Sequence, residues 1–272
     1  MSAMSAMSAA TAEPFRLTRE DGHRFIVEIP AASPVFAGHF PGRPVLPGIA
    51  HLALAQRALS EILGREVALA AVRSLKLRRP VVPGDRLELR IGPPGDDGAW
   101  RFEVRCGGAA ASQGVVEVSI GPISPIGPIG LEATSFPPPA TLLPHAPPAL
   151  LLRAVAEASE GAIVAVAEVP LSHPLALDGR FPAFLTLEAA AQAAAALETL
   201  GRREAPGPRI GYLVGIRDAR FTVPSLPAGR RFRVTARLTG GAFPLSMYAV
   251  TAGEAGREVA AGTLSTFLLA AP

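Results

Sequence analysis

The stretch "GHFPGRPVLPGIAHLALAQ", residues 38–56, decides the fold. Its histidine, His39, stands ahead of two Pro/Gly turns and an apolar run. Proline presets φ and glycine opens the turn conformations, so the loop holds the imidazole still at the mouth of a buried helix. Imidazole chemistry draws on an acid partner, yet nothing acidic lies between His39 and Gln56. Where that acid comes from organises the reading of the rest of the chain.

The 272 residues allow one large domain or two small ones, and 49% apolar content supplies a core. No run approaches the ~18 uncharged residues of a membrane span. The opening "MSAMSAMSAA" repeats a triplet of small residues; without a charged leader or leucine-rich core it reads as a disordered tail, residues 1–13. One cysteine, Cys106, excludes an internal disulfide and a cysteine-based metal site and fits a reducing, cytoplasmic setting. The net charge is +3, carried almost wholly by arginine. Genome composition explains that as well as attraction to an acidic partner or anionic cofactor does. Nucleic acid is disfavoured, because aromatics are scarce and no long basic stripe exists.

Residues 121–140, "GPISPIGPIGLEATSFPPPA", read as a semi-rigid linker that cannot easily be helix or central strand. It separates residues 14–120 from residues 141–272, and the two parts echo each other. Each has an extended opening, "HRFIVEIP" or "GAIVAVAEVP". Each has a loop with His and Pro, "GHFPGRPVLPG" or "SHPLALDGRFPA". Each has an apolar helix, near 48–63 or 183–200, followed by two strands around a Pro/Gly turn. The helices lack a broad polar face, so each must be surrounded by protein. The expected architecture is α+β: two curved antiparallel sheets, each wrapping a central helix.

These motifs resemble the hotdog-fold β-hydroxyacyl-[acyl-carrier-protein] dehydratases. "GHFPGRPVLPG" with its helix and "RRPVVPGDRLEL" carry the likeness in the first half. "LLPHAPPALLLRAV", "LEAAAQAAA" and "ARFTVPSLPAGRRFRV" carry it in the second. The pairing looks like the two dehydratase subunits of aryl-polyene and related polyketide-like pathways, fused into a double hotdog. The resemblance implies an active site made by two protomers, one giving histidine and the other carboxylate. The family carboxylate lies fourteen residues after the histidine and six after the last proline of the loop, with a glutamine four residues on.

In the first half, fourteen residues after His39 is Ala53, and Gln56 is one residue off the expected face. In the second half, six residues after Pro182 is Glu188, and Gln192 shares its face at i+4. The acid for His39 is therefore expected to be Glu188, across an intramolecular pseudo-dimer interface. The reciprocal site, His173 with Ala53, should be degenerate, with His51 able to enter it or to be a satisfied core histidine.

Dehydration removes a proton from C2 and water from C3. A neutral imidazole suits the first step. Glu188, alone in an apolar helix, should have its pKa raised by burial and so serve as the acid. By the resemblance, the Gly48 amide at the helix start holds the thioester oxygen; the equivalent Ala183 amide could serve, though its side chain crowds the approach. Gln192 either orients Glu188 or fills the helix. His145 and His23 read as structural. Arg73, Lys76, Arg78 and Arg79 suit a phosphopantetheine or an acidic carrier protein, or simply a solvated strand face.

The leading reading is thus a lyase forming trans-2-enoyl thioesters from (3R)-hydroxyacyl chains on acyl carrier protein. It needs no cofactor and no metal, since the five histidines lack ligand spacing. It leaves room for assembly into a larger homo-oligomer. A hotdog thioesterase and a non-catalytic acyl-binding scaffold of a synthase complex stay open as alternatives.

Overall fold

The computed structural model describes residues 13–119, 135–202, 209–254 and 256–269. The small-residue repeat at the start and most of the proline-rich segment lie outside them.

The first half contributes β1 (Arg16–Asp21), β2 (Arg24–Glu28), α1 (Ala50–Leu63), β3 (Ala68–Leu77), β4 (Arg86–Ile91), β5 (Trp100–Cys106) and β6 (Ala109–Ser119). The second contributes α2 (Pro139–Leu142), β7 (Leu152–Ser159), β8 (Ala162–Glu168), β9 (Arg180–Pro182), α3 (Thr186–Gly201), β10 (Gly211–Phe221), β11 (Ser225–Pro227), β12 (Arg231–Ala242), β13 (Leu245–Glu254) and β14 (Arg257–Leu268). Twelve strands form one antiparallel sheet in the order β1-β2-β4-β5-β6-β3-β10-β14-β13-β12-β8-β7. Read inward from either edge, the connectivity is the same: two strands, three from later in the half, then the strand that follows the helix. The molecule is a double hotdog, and its pseudo-twofold runs between β3 and β10.

That junction is backbone pairing, with Gly215 opposite Lys76 and Arg220 opposite Ala71. A sheet of six strands would otherwise end in unpaired N–H and C=O groups, an edge that invites aggregation. Each half covers the other's edge. The strands alternate as a half-buried sheet should: Leu87, Leu89 and Ile91 of β4 point into the core, while Arg86 and Arg90 face out.

Both helices are sheathed as their composition demands. In α1, His51, Leu52, Leu54, Ala55, Ala58 and Leu59 are buried; in α3 so are ten of sixteen residues. The run of alanines on α3 lets strands β12, β13 and β8 approach closely. The α1 helix ends where Gly64 adopts φ 63°, a left-handed cap suited to glycine.

One sequence expectation needs correcting here. The proline-rich segment, read as a linker that cannot easily be helix, does enter a helix at its end: Pro139 and Ala140 open the short helical turn α2. Proline is acceptable there because the first-turn N–H it lacks would have had no helical partner. Among the described residues, no helix is long and apolar enough to cross a membrane.

Candidate active site

His39 sits in the loop between β2 and α1. Its Nδ1–H donates to the Val45 carbonyl at 3.1 Å, and the Val45 N–H donates back to the His39 carbonyl. A carbonyl can only accept, so the proton of the neutral ring is on Nδ1 and Nε2 carries a bare lone pair. That Nε2 lies 4.0 Å from Glu188 Oε1, which comes from the first turn of α3 in the other half. Both residues are 7% exposed. The imidazole and the carboxyl that sequence reasoning placed opposite each other do face each other.

The loop cannot drift, because Gly38 pins it. The Gly38 carbonyl accepts from the Ala146 N–H at 3.0 Å, and a Cβ on Gly38 would lie 2.0 Å from the Ala146 carbonyl oxygen. With φ at +78°, the position is closed to other residues twice over. This contact crosses the two halves and carries in a residue that sequence reasoning set aside as structural. His145, next to Ala146, places Nε2 3.7 Å from Glu188 Oε1, with its ring centroid 5.2 Å from that of His39. Chain spacing held no signal for it, since its neighbours are assembled by the docking of the two repeats. Read along the sequence, the histidines offer no metal centre. In space, ligand atoms of His39, His145 and Glu188 lie within 4.8 Å of one another, a donor set compatible with a divalent ion.

Gln192 is committed to the protein. Its Oε1 accepts from the Leu151 N–H at 2.9 Å, and its Nε2 donates to the Ala149 carbonyl at 2.8 Å and to Glu188 Oε1 at 3.3 Å. It therefore ties the carboxyl and the backbone after His145 to one helix face, the i, i+4 geometry the sequence offered.

These groups line a cavity of about 370 Å³ that runs along α3 past Ala191 and Ala195 to Glu198, and along the end of β3 to Arg78 and Arg79. Gly48 lines it at the entrance to α1, and its N–H donates to no acceptor among the described residues. An orphan amide at a helix start is a ready partner for developing negative charge. Ala183 differs from expectation: its N–H donates to the Pro224 carbonyl at 3.1 Å and is not free for a ligand. His173 accepts the Leu175 N–H on Nδ1, and the small cavity it lines holds His39 and Glu188 rather than Ala53, which packs against the core. His51 lines the main cavity with its Nδ1 2.8 Å from Ser112 Oγ. Of the basic set, Arg73 is engaged by Glu117 and Asp97, whereas Arg78 and Arg79 are exposed at the cavity rim. His23 lies away from the site, its Nδ1 against the Ile91 carbonyl.

Burial dominates the electrostatics. It lowers the pKa of His39, against the pull of Glu188, and that of His145, helped by His39. It pushes His51 and His173 down to about 4 each. In the unfolded chain these rings titrate near ~6.5. Their folded pKa is depressed, so the unfolded state binds the proton first. The stability they contribute is complete above that pH and is lost as pH falls toward the folded values. By linkage, His51 and His173 should each cost the fold about 2 kcal/mol by about pH 5. Urea unfolding at about pH 7.5 and about pH 5 checks this; an unchanged midpoint would mean the buried rings are not held neutral.

Comparisons with known proteins place the chain among dehydratases. Residues 16–115 match the ApeI-like family model, described as ApeI dehydratase, and residues 137–270 match the ApeP-like model, described as ApeP dehydratase. The 3-hydroxyacyl-[acyl-carrier-protein] dehydratase FabZ of Anaeromyxobacter dehalogenans is 37% identical over 100 residues, covering 32% of this chain and 64% of that protein. The chain thus spans just under two thirds of the length of this curated relative. The dehydratase domain of RzxB from Pseudomonas fluorescens superposes with a TM-score of 0.67 at 17% identity, over 93% of this chain and 96% of that one. The dehydratase domain of PpsC from Mycobacterium tuberculosis gives 0.63 at 18%, over 94% and 99%. At such identities these two establish the fold.

Proposed function

The chain belongs to the hotdog dehydratases, its first half ApeI-like and its second ApeP-like, and we propose that it dehydrates (3R)-3-hydroxyacyl thioesters carried on acyl carrier protein to trans-2-enoyl thioesters. The observation that carries this reading is the composite pair: the lone pair of His39 Nε2 and the carboxyl of Glu188, from different repeats, share one cavity.

In this mechanism His39 Nε2 takes the C2 proton, and the C2–H electron pair becomes the new double bond. The C3–O bond breaks toward oxygen, which receives a proton from Glu188 and leaves as water. Charge that builds on the thioester oxygen is met by the Gly48 amide and the positive end of α1; one such donor is worth ~10²–10³ in kcat. Arg78 and Arg79 at the rim supply positive charge for a phosphopantetheine phosphate or an acidic carrier. The taken Ala183 amide and the absence of an acid at Ala53 support a single working site per chain.

The chemistry asks for no cofactor and no metal. The purified protein should therefore convert a 3-hydroxyacyl thioester to the enoyl product in buffer containing EDTA and no added nucleotide, without releasing free thiol. Thiol release would make it a thioesterase. Tight acyl binding with no turnover would make it a scaffold.

A further inference from the structure

Glu188 has a second imidazole beside it, which the reaction above leaves idle. His145 lies in the loop between α2 and β7, with its side chain 7% exposed. Its Nδ1 is buried and without a hydrogen-bond partner among the described residues. Its edge facing the cavity carries Nε2, 3.7 Å from Glu188 Oε1. The ring is wedged by Phe40, whose centroid lies 4.7 Å away in a T-shaped contact, and by His39 at 5.2 Å.

A neutral imidazole must keep its one proton on one nitrogen or the other. On Nδ1 the proton would be a sealed donor with nothing to receive it, a costly arrangement. On Nε2 it points toward the Glu188 carboxyl and the open cavity. His145 is therefore an Nε2–H donor, while the Val45 carbonyl makes His39 an Nε2 acceptor. The two rings present opposite tautomers to the same space.

We propose that His145 is a third catalytic group, whose Nε2–H holds the departing C3 oxygen between itself and Glu188. An oxygen at about 2.8 Å from each partner fits a gap of 3.7 Å. His145 gives up no proton in net terms. Its hydrogen bond places the leaving oxygen on Glu188 and stabilises the charge there as the C3–O bond breaks, while Glu188 supplies the proton and His39 takes the one from C2. Burial, which keeps His145 neutral, preserves this donor-acceptor division.

This role rests on the dehydratase reading, and the test separates the two. Chloride leaves without needing a proton, so a 3-chloroacyl thioester asks only for the base. His145→Leu should lower kcat on the 3-hydroxyacyl thioester ~100-fold, with KM changed little, and lower chloride elimination less than ~10-fold. His39→Ala should lose both reactions. His145→Gln, which can place an N–H near the Nε2 position, should recover part of the rate. His145→Asn, too short to reach it, should not. The Gln and Asn pair decides the matter should the Leu variant fold poorly. Equal rates for Gln and Asn, a Leu variant within ~2-fold of the unaltered protein, or equal losses on both substrates would overturn the role. If the unaltered protein dehydrates nothing, the dehydratase reading itself fails, and this role goes with it.

Discussion

Glu188→Gln should reduce kcat for dehydration by about three orders of magnitude while leaving the fold intact. The amide is isosteric with the carboxyl and still accepts from Gln192 Nε2, which sits 3.3 Å from Glu188 Oε1, so the clamp on Ala149 and Leu151 has no reason to open. What disappears is the carboxyl that, among the described residues, stands beside His39 and His145 and can give the departing oxygen a full proton. KM should change little, because the amide occupies the same volume and the interaction lost belongs to the transition state. Steady-state kinetics paired with a thermal melt reads both quantities. A variant with native melting and more than about a tenth of the original kcat would exclude Glu188 as the acid.

His39→Ala should be at least as severe, since His39 Nε2 is the bare nitrogen that faces Glu188 across the cavity. In His145 the proton is best placed on Nε2, so that ring cannot take over without changing tautomer. Removing both His39 and Glu188 should cost scarcely more than removing one, because the two act on one substrate in one step. The pH profile carries a further mark of this base. Burial holds the His39 pKa below its ordinary value despite the neighbouring carboxyl. The active, neutral form therefore persists into mild acid, and kcat/KM should begin to fall only below ~6.5. A limb that begins well above that value, or an alanine variant that keeps the same limb and most of its rate, would assign the base elsewhere.

How much of this was legible beforehand can be argued residue by residue. Two Pro/Gly-bounded histidine loops, each followed by a helix without a polar face and then by β-rich runs, were enough for two wrapped helices, because a helix apolar all round must be surrounded by protein and the strands supply that cover. The missing acid after His39 and the Glu188–Gln192 pair at i, i+4, set against the spacing that the family resemblance implies, were enough to predict a site shared between repeats. Local chemistry writes those features into neighbouring residues. His145 shows the limit. Its position follows from Gly38 meeting Ala146 across the repeats, a contact that no periodicity encodes. The fate of the Ala183 amide is similar: whether a helix-entrance N–H is free depends on where the Pro224 carbonyl comes to rest.

By itself, then, the amino-acid sequence determined the two-repeat plan and the buried helices, and with the family resemblance it pointed to His39 in one half and Glu188 in the other as residues that should meet. Only the tertiary structure decided that a second imidazole joins them, that Gln192 is spent on holding the carboxyl, and that one helix entrance keeps its amide free while the other does not. The physical reason is reach. Turn and helix preferences act over a few neighbouring residues, whereas hydrogen-bond partners and ring tautomers are settled by whichever distant atoms the packing of β3 against β10 brings within about 3 Å.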